Sequence, residues 1–243
     1  MMIPKIIHYA WFGKKPLPES AVKCIESWKK YCPDYEIKRW DETNYDYKKH
    51  RYMREAYESK KFAFVVDYMR LDVLYQYGGI FFDTDVEVIK NFDPLLTLAG
   101  FAGFEHGEHK NEEVNVGIGI GSEAGNPVIK AMLDDYQDRK FLLENGGFNM
   151  TPCPIYQTNV LKKFGIVLEN YRQDLGDIVI FPTDYFCPVN YYTGKTKITI
   201  NTYSIHHYTA TWMPFYRKVW HFLKQKFLLF RYIDSVRRKV LNK

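Results

Sequence analysis

Hydrophobic positions along the 243-residue chain switch between two periods, and the switches outline an α/β domain. Ile3 to Tyr9 (IPKIIHY) is an apolar run fit for a buried strand, and Ala10-Trp11-Phe12-Gly13 is the loop that leaves its carboxyl end. From Glu19 or Ser20 to about Tyr31, Ala21, Ile25 and Trp28 recur at helical spacing. Cys32-Pro33-Asp34 stops that helix, and Tyr35 to Trp40 (YEIKRW) alternates as a second strand with Asp41 directly after it. Strand, helix, strand is the unit of a parallel sheet with helices on its faces. Such sheets bind ligands beyond the carboxyl ends of their strands, so Trp11 and Asp41 fall on a candidate rim.

The stretch from Ala63 to Glu87 (AFVVDYMRLDVLYQYGGIFFDTDVE) adds to that rim. Its first part predicts an amphipathic helix with Asp67 and Arg70 one turn apart. Gly78-Gly79 supplies the positive φ that ends a helix cheaply. Ile80-Phe81-Phe82 is continuously apolar, as in a strand covered on both faces. Asp83-Thr84-Asp85 follows where the strand leaves the sheet, and carboxylates two residues apart on an extended chain point the same way.

Further along, residues 43–62 predict a helix or irregular crossover, and Val86 and Val88 a resumption of the strand. Phe101 to Phe104 is a short strand, 105–113 a charged loop, and Asn115 to Gly121 a strand interrupted by glycines that leave room for a ligand or another backbone. Asn126 caps a helix running to about Arg139. Residues 145–154 are loop and 155–164 helix. Late strands are expected at 178–181 and 197–205, the second entering His206-His207-Tyr208-Thr209-Ala210-Thr211-Trp212.

Composition narrows the function. At 46% hydrophobic, the chain can bury a full core. Aromatic residues make up 17%, which favours flat, stackable surfaces suited to carbohydrate or nucleobase. Cys24, Cys32, Cys153 and Cys187 form no CxxC pair and are expected as reduced thiols of a cytoplasmic protein. The first residues make a poor signal peptide, and no run of 18 apolar residues predicts a membrane span. The net charge of +5 is uneven: residues 213–243 hold nine Lys/Arg and one acid, leaving 25 basic against 28 acidic residues in 1–212. Two units are therefore expected, a catalytic domain over 1–212 and a basic amphipathic helical tail over 213–243. Arg217, Lys224, Arg231 and Arg238 recur every seven residues in that tail, which suits either a docked helix or attachment to an anionic membrane surface. No motif points to nucleic acid.

The chemistry centres on the aspartates. Asp83 and Asp85 suit a loosely held Mg²⁺ or Mn²⁺ with positions left for phosphate oxygens. A cation there makes a diphosphate a better leaving group, and a late histidine nearby would tilt the choice toward Mn²⁺. His206 and His207 also fit ordinary strand-end histidines, as Trp11 fits a core residue.

These residues resemble glycosyltransferase family 32, the DXD-containing sugar transferases of capsule, lipopolysaccharide and yeast initiating mannosyltransferase type, and more distantly the glucosylating domains of large clostridial toxins. The ordered set Asp67, Arg70, Asp83, Asp85 within DYMRLDVLYQYGGIFFDTDV carries the resemblance, with IPKIIHYAWFG and IHHYTATW at either end. The resemblance implies a GT-A fold, a Rossmann-like, mostly parallel sheet flanked by helices. It implies a nucleotide-diphosphate-sugar donor, UDP favoured with GDP-mannose as the alternative, and a glycan or lipid-linked acceptor, with retention, in surface polysaccharide synthesis. Trp11 would stack on the base, Asp67 and Arg70 would bind sugar hydroxyls, and Asp83 would contact ribose or sugar. Asp85, with Asp83 and His207, would hold the metal, and Asn115 would face the sugar or acceptor, with Asp184 a weaker candidate. Thr209-Ala210-Thr211 replaces the family's small loop with Gly and Ser or Lys. Two other classes share parts of the pattern: a haloacid-dehalogenase-type phosphohydrolase using Asp83 and Asp85, and a non-catalytic carbohydrate-binding module. Glu87 stands where the phosphohydrolase motif expects Thr or Val.

Overall fold

The structure, a computed structural model, describes residues 2–107 and 112–209. Strand β1 (Ile6–Ala10), helix α1 (Glu19–Tyr31) and strand β2 (Glu36–Trp40) form the expected first unit. Helices α2 (Arg51–Glu58) and α3 (Phe62–Tyr77) follow, then β3 (Gly79–Phe81) and β4 (Val86–Val88). Strands β5 (Gly100–His106), β6 (Glu112–Asn115) and β7 (Ile120–Ser122) precede helices α4 (Pro127–Asp134) and α5 (Cys153–Lys162). Strands β8 (Gln173–Asp174) and β9 (Val179–Phe181), helix α6 (Thr183–Phe186) and strand β10 (Ser204–His206) complete the described chain.

The main sheet runs β2-β1-β3-β7-β5-β9-β8, with β6 on β5. β1 pairs in parallel with β2 and β3, and β5 with β9, while β7 runs antiparallel between β3 and β5. The carboxyl ends of β1, β2, β3 and β5 therefore share one rim. Trp11, Asp41, Asp83 and Glu105 lie at or just beyond those ends. This is the α/β class, a largely parallel sheet with helices around it, that the sequence leads one to expect.

The alternation along β3 divides two cores. Phe81 joins a cluster with Phe64, Leu71 and Leu74 of α3, and Ile80 and Phe82 join one with Trp28 of α1. A strand that is apolar on both faces needs such double cover. Helix α3 departs from the expected amphipathic pattern, because Asp67, Arg70 and Asp72 are buried along with its apolar residues. Each is partnered: Asp72 accepts from Tyr45 Oη at 2.7 Å and Gln76 Nε2 at 2.8 Å and pairs with Lys49.

Three expectations are corrected. Val86-Glu87-Val88 does not resume β3; it forms a separate two-stranded ribbon with β10, and the Trp28 indole donates to Val86 O at 2.7 Å. The stretch 197–205 yields only Ser204–His206 as strand, because Thr199 and Thr202 close a turn and β4 offers only three residues as partners. The glycine-interrupted run at 115–121 is two strands, both paired with β5. Asn126 caps α4 as predicted, accepting from Val128 N at 2.9 Å and Ile129 N at 3.3 Å, though the helix ends at Asp134. All four cysteines are free thiols. No helix among the described residues is long and apolar enough to cross a membrane. The tail, residues 213–243, lies outside the described residues, as do Ala210, Thr211 and Trp212.

Candidate active site

Asp83 lies two residues past the end of β3 and Asp85 immediately before β4, so the turn between two sheets holds both carboxylates in place. The ribbon partner β10 brings in His206, and one ligand atom from each of Asp83, Asp85 and His206 lies within 4.8 Å of the others. The expected ligand His207 is displaced by one residue. Successive strand side chains face opposite ways: His206 is buried with Nε2 3.2 Å from Asp85 Oδ1, whereas His207 faces outward, Nε2 2.8 Å from Glu87 Oε2.

Asp85 is held from both sides. Oδ2 accepts from Thr209 N at 2.8 Å and Thr209 Oγ1 at 3.0 Å, and the Asp85 carbonyl accepts from His207 N at 3.0 Å. Burial alone would push its carboxyl up, but His206 and Thr209 outweigh that and hold it well below the usual carboxylate range. Burial likewise opposes charge on His206, yet Asp85 keeps its proton on well above the ordinary pH.

Asp83 sits against α3. Arg70, 2% exposed at its side chain, pairs with Asp83 through Nη2, lies 3.9 Å from Asp67 through Nη1, and rests over Phe81 at 5.2 Å from the ring centroid. Burial pushes the Asp67 carboxyl up to about 6, with Arg70 and a hydrogen bond to Cys153 opposing it. Burial raises Asp83 too, against the pull of Arg70. Asp67, Arg70 and Asp83 thus come together as predicted, with Cys153 of α5 as an unforeseen neighbour whose Sγ is 3.9 Å from Arg70 Nη1. Nothing in the local pattern around Cys153 signals that contact.

On the other side of Asp83 stands Gly117. A Cβ there would meet Asp83 Oδ2 at 2.5 Å, so only glycine leaves the carboxylate its place. Asn115 reaches this corner through its Oδ1, which accepts from Gly117 N at 2.7 Å. Its side chain is otherwise spent on Glu105, at 2.8 Å from Nδ2. Trp11 leaves β1 part-exposed, with its indole N–H donating to Lys15 O at 2.7 Å. Asp41 turns back on Thr43 and Arg39, and Asp184 binds Thr199 Oγ1 at 2.8 Å; neither joins the cluster.

Two carboxylates and one imidazole, crowded together with a glycine keeping space beside them, are a donor set that fits a divalent cation of the Mg²⁺ or Mn²⁺ kind. Two carboxylates do not stay this close without positive charge near them; Arg70 and protonated His206 supply it here, and a cation ligated by His206 would displace that proton.

The comparisons with known proteins fall on the same stretch. Residues 18–101 match the family described as a glycosyltransferase sugar-binding region containing the DXD motif, which takes in Asp67, Arg70, Asp83 and Asp85. The match covers about a third of the chain, and with the relatives below it marks the protein as a glycosyltransferase. It is 27% identical over 240 residues to an uncharacterized glycosyltransferase of Acanthamoeba polyphaga mimivirus, covering 94% of this chain and 91% of that one. It is 34% identical over 102 residues to inositol phosphoceramide mannosyltransferase 3 of Schizosaccharomyces pombe, spanning 39% of this chain and only 27% of that protein's length. Among solved structures it is similar to the PaToxG glycosyltransferase, with a TM-score of 0.48 and 24% identity over 67% of this chain and 69% of that one.

Proposed function

We propose that the protein transfers a sugar from a nucleotide-diphosphate sugar to a glycan or lipid-linked acceptor, using Mn²⁺ or Mg²⁺ held by Asp83, Asp85 and His206. The observation that carries this reading is the convergence of those three side chains at the end of β3 with Asp67 and Arg70 directly behind them. A cation bound there supplies positive charge against the diphosphate of the donor.

The chain's own residues do the rest. Arg70 fixes Asp83 and presents charge to the donor side, where fixed charge in a water-poor site stabilises developing negative charge. Asp67, its carboxyl pushed up to about 6, is mainly ionised at neutral pH and can accept hydrogen bonds from sugar hydroxyls. Trp11 offers a part-exposed ring at the rim for the base, and Asn115 orders the Gly117 corner against which the sugar or acceptor would lie. UDP is the favoured carrier. The similarity to enzymes named as mannosyltransferases keeps GDP-mannose as the competing donor, and their inositol phosphoceramide substrate favours an acceptor carried on a lipid. Retention and a role in surface polysaccharide synthesis belong to the same proposal through the family resemblance. So does attachment of the tail, residues 213–243, to the inner face of the cell membrane.

The test is hydrolysis by the purified full chain with Mn²⁺. Slow, Mn²⁺-dependent release of a nucleoside diphosphate from one nucleotide sugar is expected. Hydrolysis of a phosphomonoester, with nucleotide sugars untouched, would overturn the proposal in favour of a phosphohydrolase.

A further inference from the structure

Behind the Asp83–Asp85–His206 cluster lies a carboxylate with no part in the reading above. Glu105, next to last in β5, directs Oε2 to two donors, Asn115 Nδ2 at 2.8 Å and Tyr208 Oη at 3.0 Å. From there, two separate routes lead to the two arms of the cluster.

The first route runs across the sheet. Asn115 Oδ1 accepts from Gly117 N at 2.7 Å, and Gly117 O accepts from Asp83 N at 3.2 Å. Because Gly117 also stands against Asp83 Oδ2, any shift of Asn115 moves the wall on which that carboxylate rests. Asn115 pairs with Gly103, two residues before Glu105 on the same face of the sheet, so no side chain intervenes between the two.

The second route runs through Tyr208. Its φ is +51°, in the left-handed region, which a bulky residue occupies only when its surroundings hold it there. The holding contacts are Oη to Glu105 and to Cys187 Sγ at 2.9 Å, with the ring 4.1 Å from that of His206 and 5.0 Å from that of Tyr191, centroid to centroid. With Tyr208 turned this way, His206 and Thr209 on either side of it both reach Asp85, one at each carboxylate oxygen.

We propose that Glu105 is a positioning residue that sets the spacing of the two cation-binding arms, holding Asp83 through Asn115 and Gly117, and Asp85 through Tyr208. The proposal rests on the reading of the cluster as a divalent-cation site. Its logic lies in the acceptor geometry. One carboxylate oxygen has lone pairs for both donors. An amide oxygen in the same place keeps both bonds, and an alanine leaves Asn115 Nδ2 and Tyr208 Oη without their acceptor.

The test is calorimetric titration of Mn²⁺ into the full chain, without nucleotide, alongside thermal unfolding. Glu105→Ala is expected to weaken Mn²⁺ binding by about 10- to 100-fold, the range for groups that orient metal ligands. Glu105→Gln should stay within a few-fold of the parent. Glu55→Ala removes another buried carboxylate, one that accepts from Phe141 N and Leu142 N at 2.9 Å far along the chain from the cluster; it should lower the unfolding temperature and leave Mn²⁺ affinity unchanged. Should Glu105→Ala not fold, Tyr208→Phe decides, since it removes only the hydroxyl and should also weaken Mn²⁺ binding. Unchanged affinity in a folded Glu105→Ala or in Tyr208→Phe, or an equal loss in Glu55→Ala, would overturn the role of Glu105. Absence of Mn²⁺ binding in the parent protein would instead overturn the cation site itself.

Discussion

His206 Nε2 lies 3.2 Å from Asp85 Oδ1, a buried imidazole against a part-buried carboxylate at the junction of the β4–β10 ribbon with the end of β3. The neighbouring His207 points to Glu87 instead. The two histidines are therefore not equivalent despite their adjacency. His206→Ala is expected to weaken Mn²⁺ binding more than about tenfold, at least as much as a group that merely orients a ligand. His207→Ala removes one exposed pair and should leave binding unchanged. Titration of Mn²⁺ into both variants checks the order, and the reverse order would restore His207 as the ligand.

Arg70 is the only cation paired with Asp83 among the described residues, and it is almost wholly buried. The Asp83 side chain, however, is 34% exposed, so water can partly solvate the carboxylate left behind when Arg70 is removed. Arg70→Ala should therefore lower stability by less than the about 3–5 kcal/mol lost when a fully buried pair is broken. Arg70→Lys keeps the charge but not the planar fork that spans Asp83 and Asp67. It should fold, with donor affinity lowered by about one to two orders of magnitude, the worth of one charge-assisted hydrogen bond. Chemical denaturation and donor titration separate the two effects.

Much of this site is legible in the sequence because it is written locally. The strand–helix–strand start, the Gly-Gly stop and the apolar β3 each follow from short-range periodicity, and so does the placement of Asp67, Arg70, Asp83 and Asp85 near one another. The parts that are not legible depend on distant pairings. Which histidine faces inward is fixed by the register of Ser204 on Val88, and nothing near His206 announces that partner. Lys197 to Ile205 reads as a strand, but only from Ser204 on is there an edge, β4, to pair with it. Glu105, Gly117, Tyr208 and Cys153 matter through contacts made across 10 to more than 100 residues of chain, beyond any window a pattern can read.

His8 gives the fold a pH dependence of known sign. It is fully buried in β1, its Nε2 bonded to Gly78 O at 2.9 Å and its Nδ1 to the Trp40 indole N–H at 3.2 Å. Nδ1 thus accepts while Nε2 donates, which is the neutral ring. Burial lowers its pKa to about 4, so the unfolded chain takes up a proton first. Stability should fall as the pH drops from about 6.5 to about 4, by at most ~1.4 kcal/mol per pH unit from this group. Asp67 acts with the opposite sign in part of that window, since its raised pKa makes the folded state the better proton binder. The difference between parent and His8→Gln, measured by denaturant unfolding at several pH values, isolates His8: the variant should lose stability less steeply on acidification.

If the tail, residues 213–243, attaches the enzyme to a membrane, a chain ending at Trp212 should lose binding to anionic liposomes while keeping nucleotide-sugar binding. Each basic residue near such a surface is worth about 1 kcal/mol and is screened by salt, so the comparison belongs at low ionic strength. Equal sedimentation of the long and short chains with liposomes would contradict the attachment.

Asp85 and its partners are proposed to hold a cation that binds the donor diphosphate. The most direct measurement is the thermal shift given by a panel of nucleotide sugars, with and without Mn²⁺, on the parent protein and on Asp85→Ala. A ligand that binds only the folded state raises the midpoint by mass action, about 2.7 kcal/mol of stability at a concentration 100 times its Kd. The expected result is that one nucleotide sugar stabilises the parent only when Mn²⁺ is present, and that the Mn²⁺-dependent part vanishes in Asp85→Ala. A shift of the same size in Asp85→Ala, or one indifferent to Mn²⁺, would contradict it.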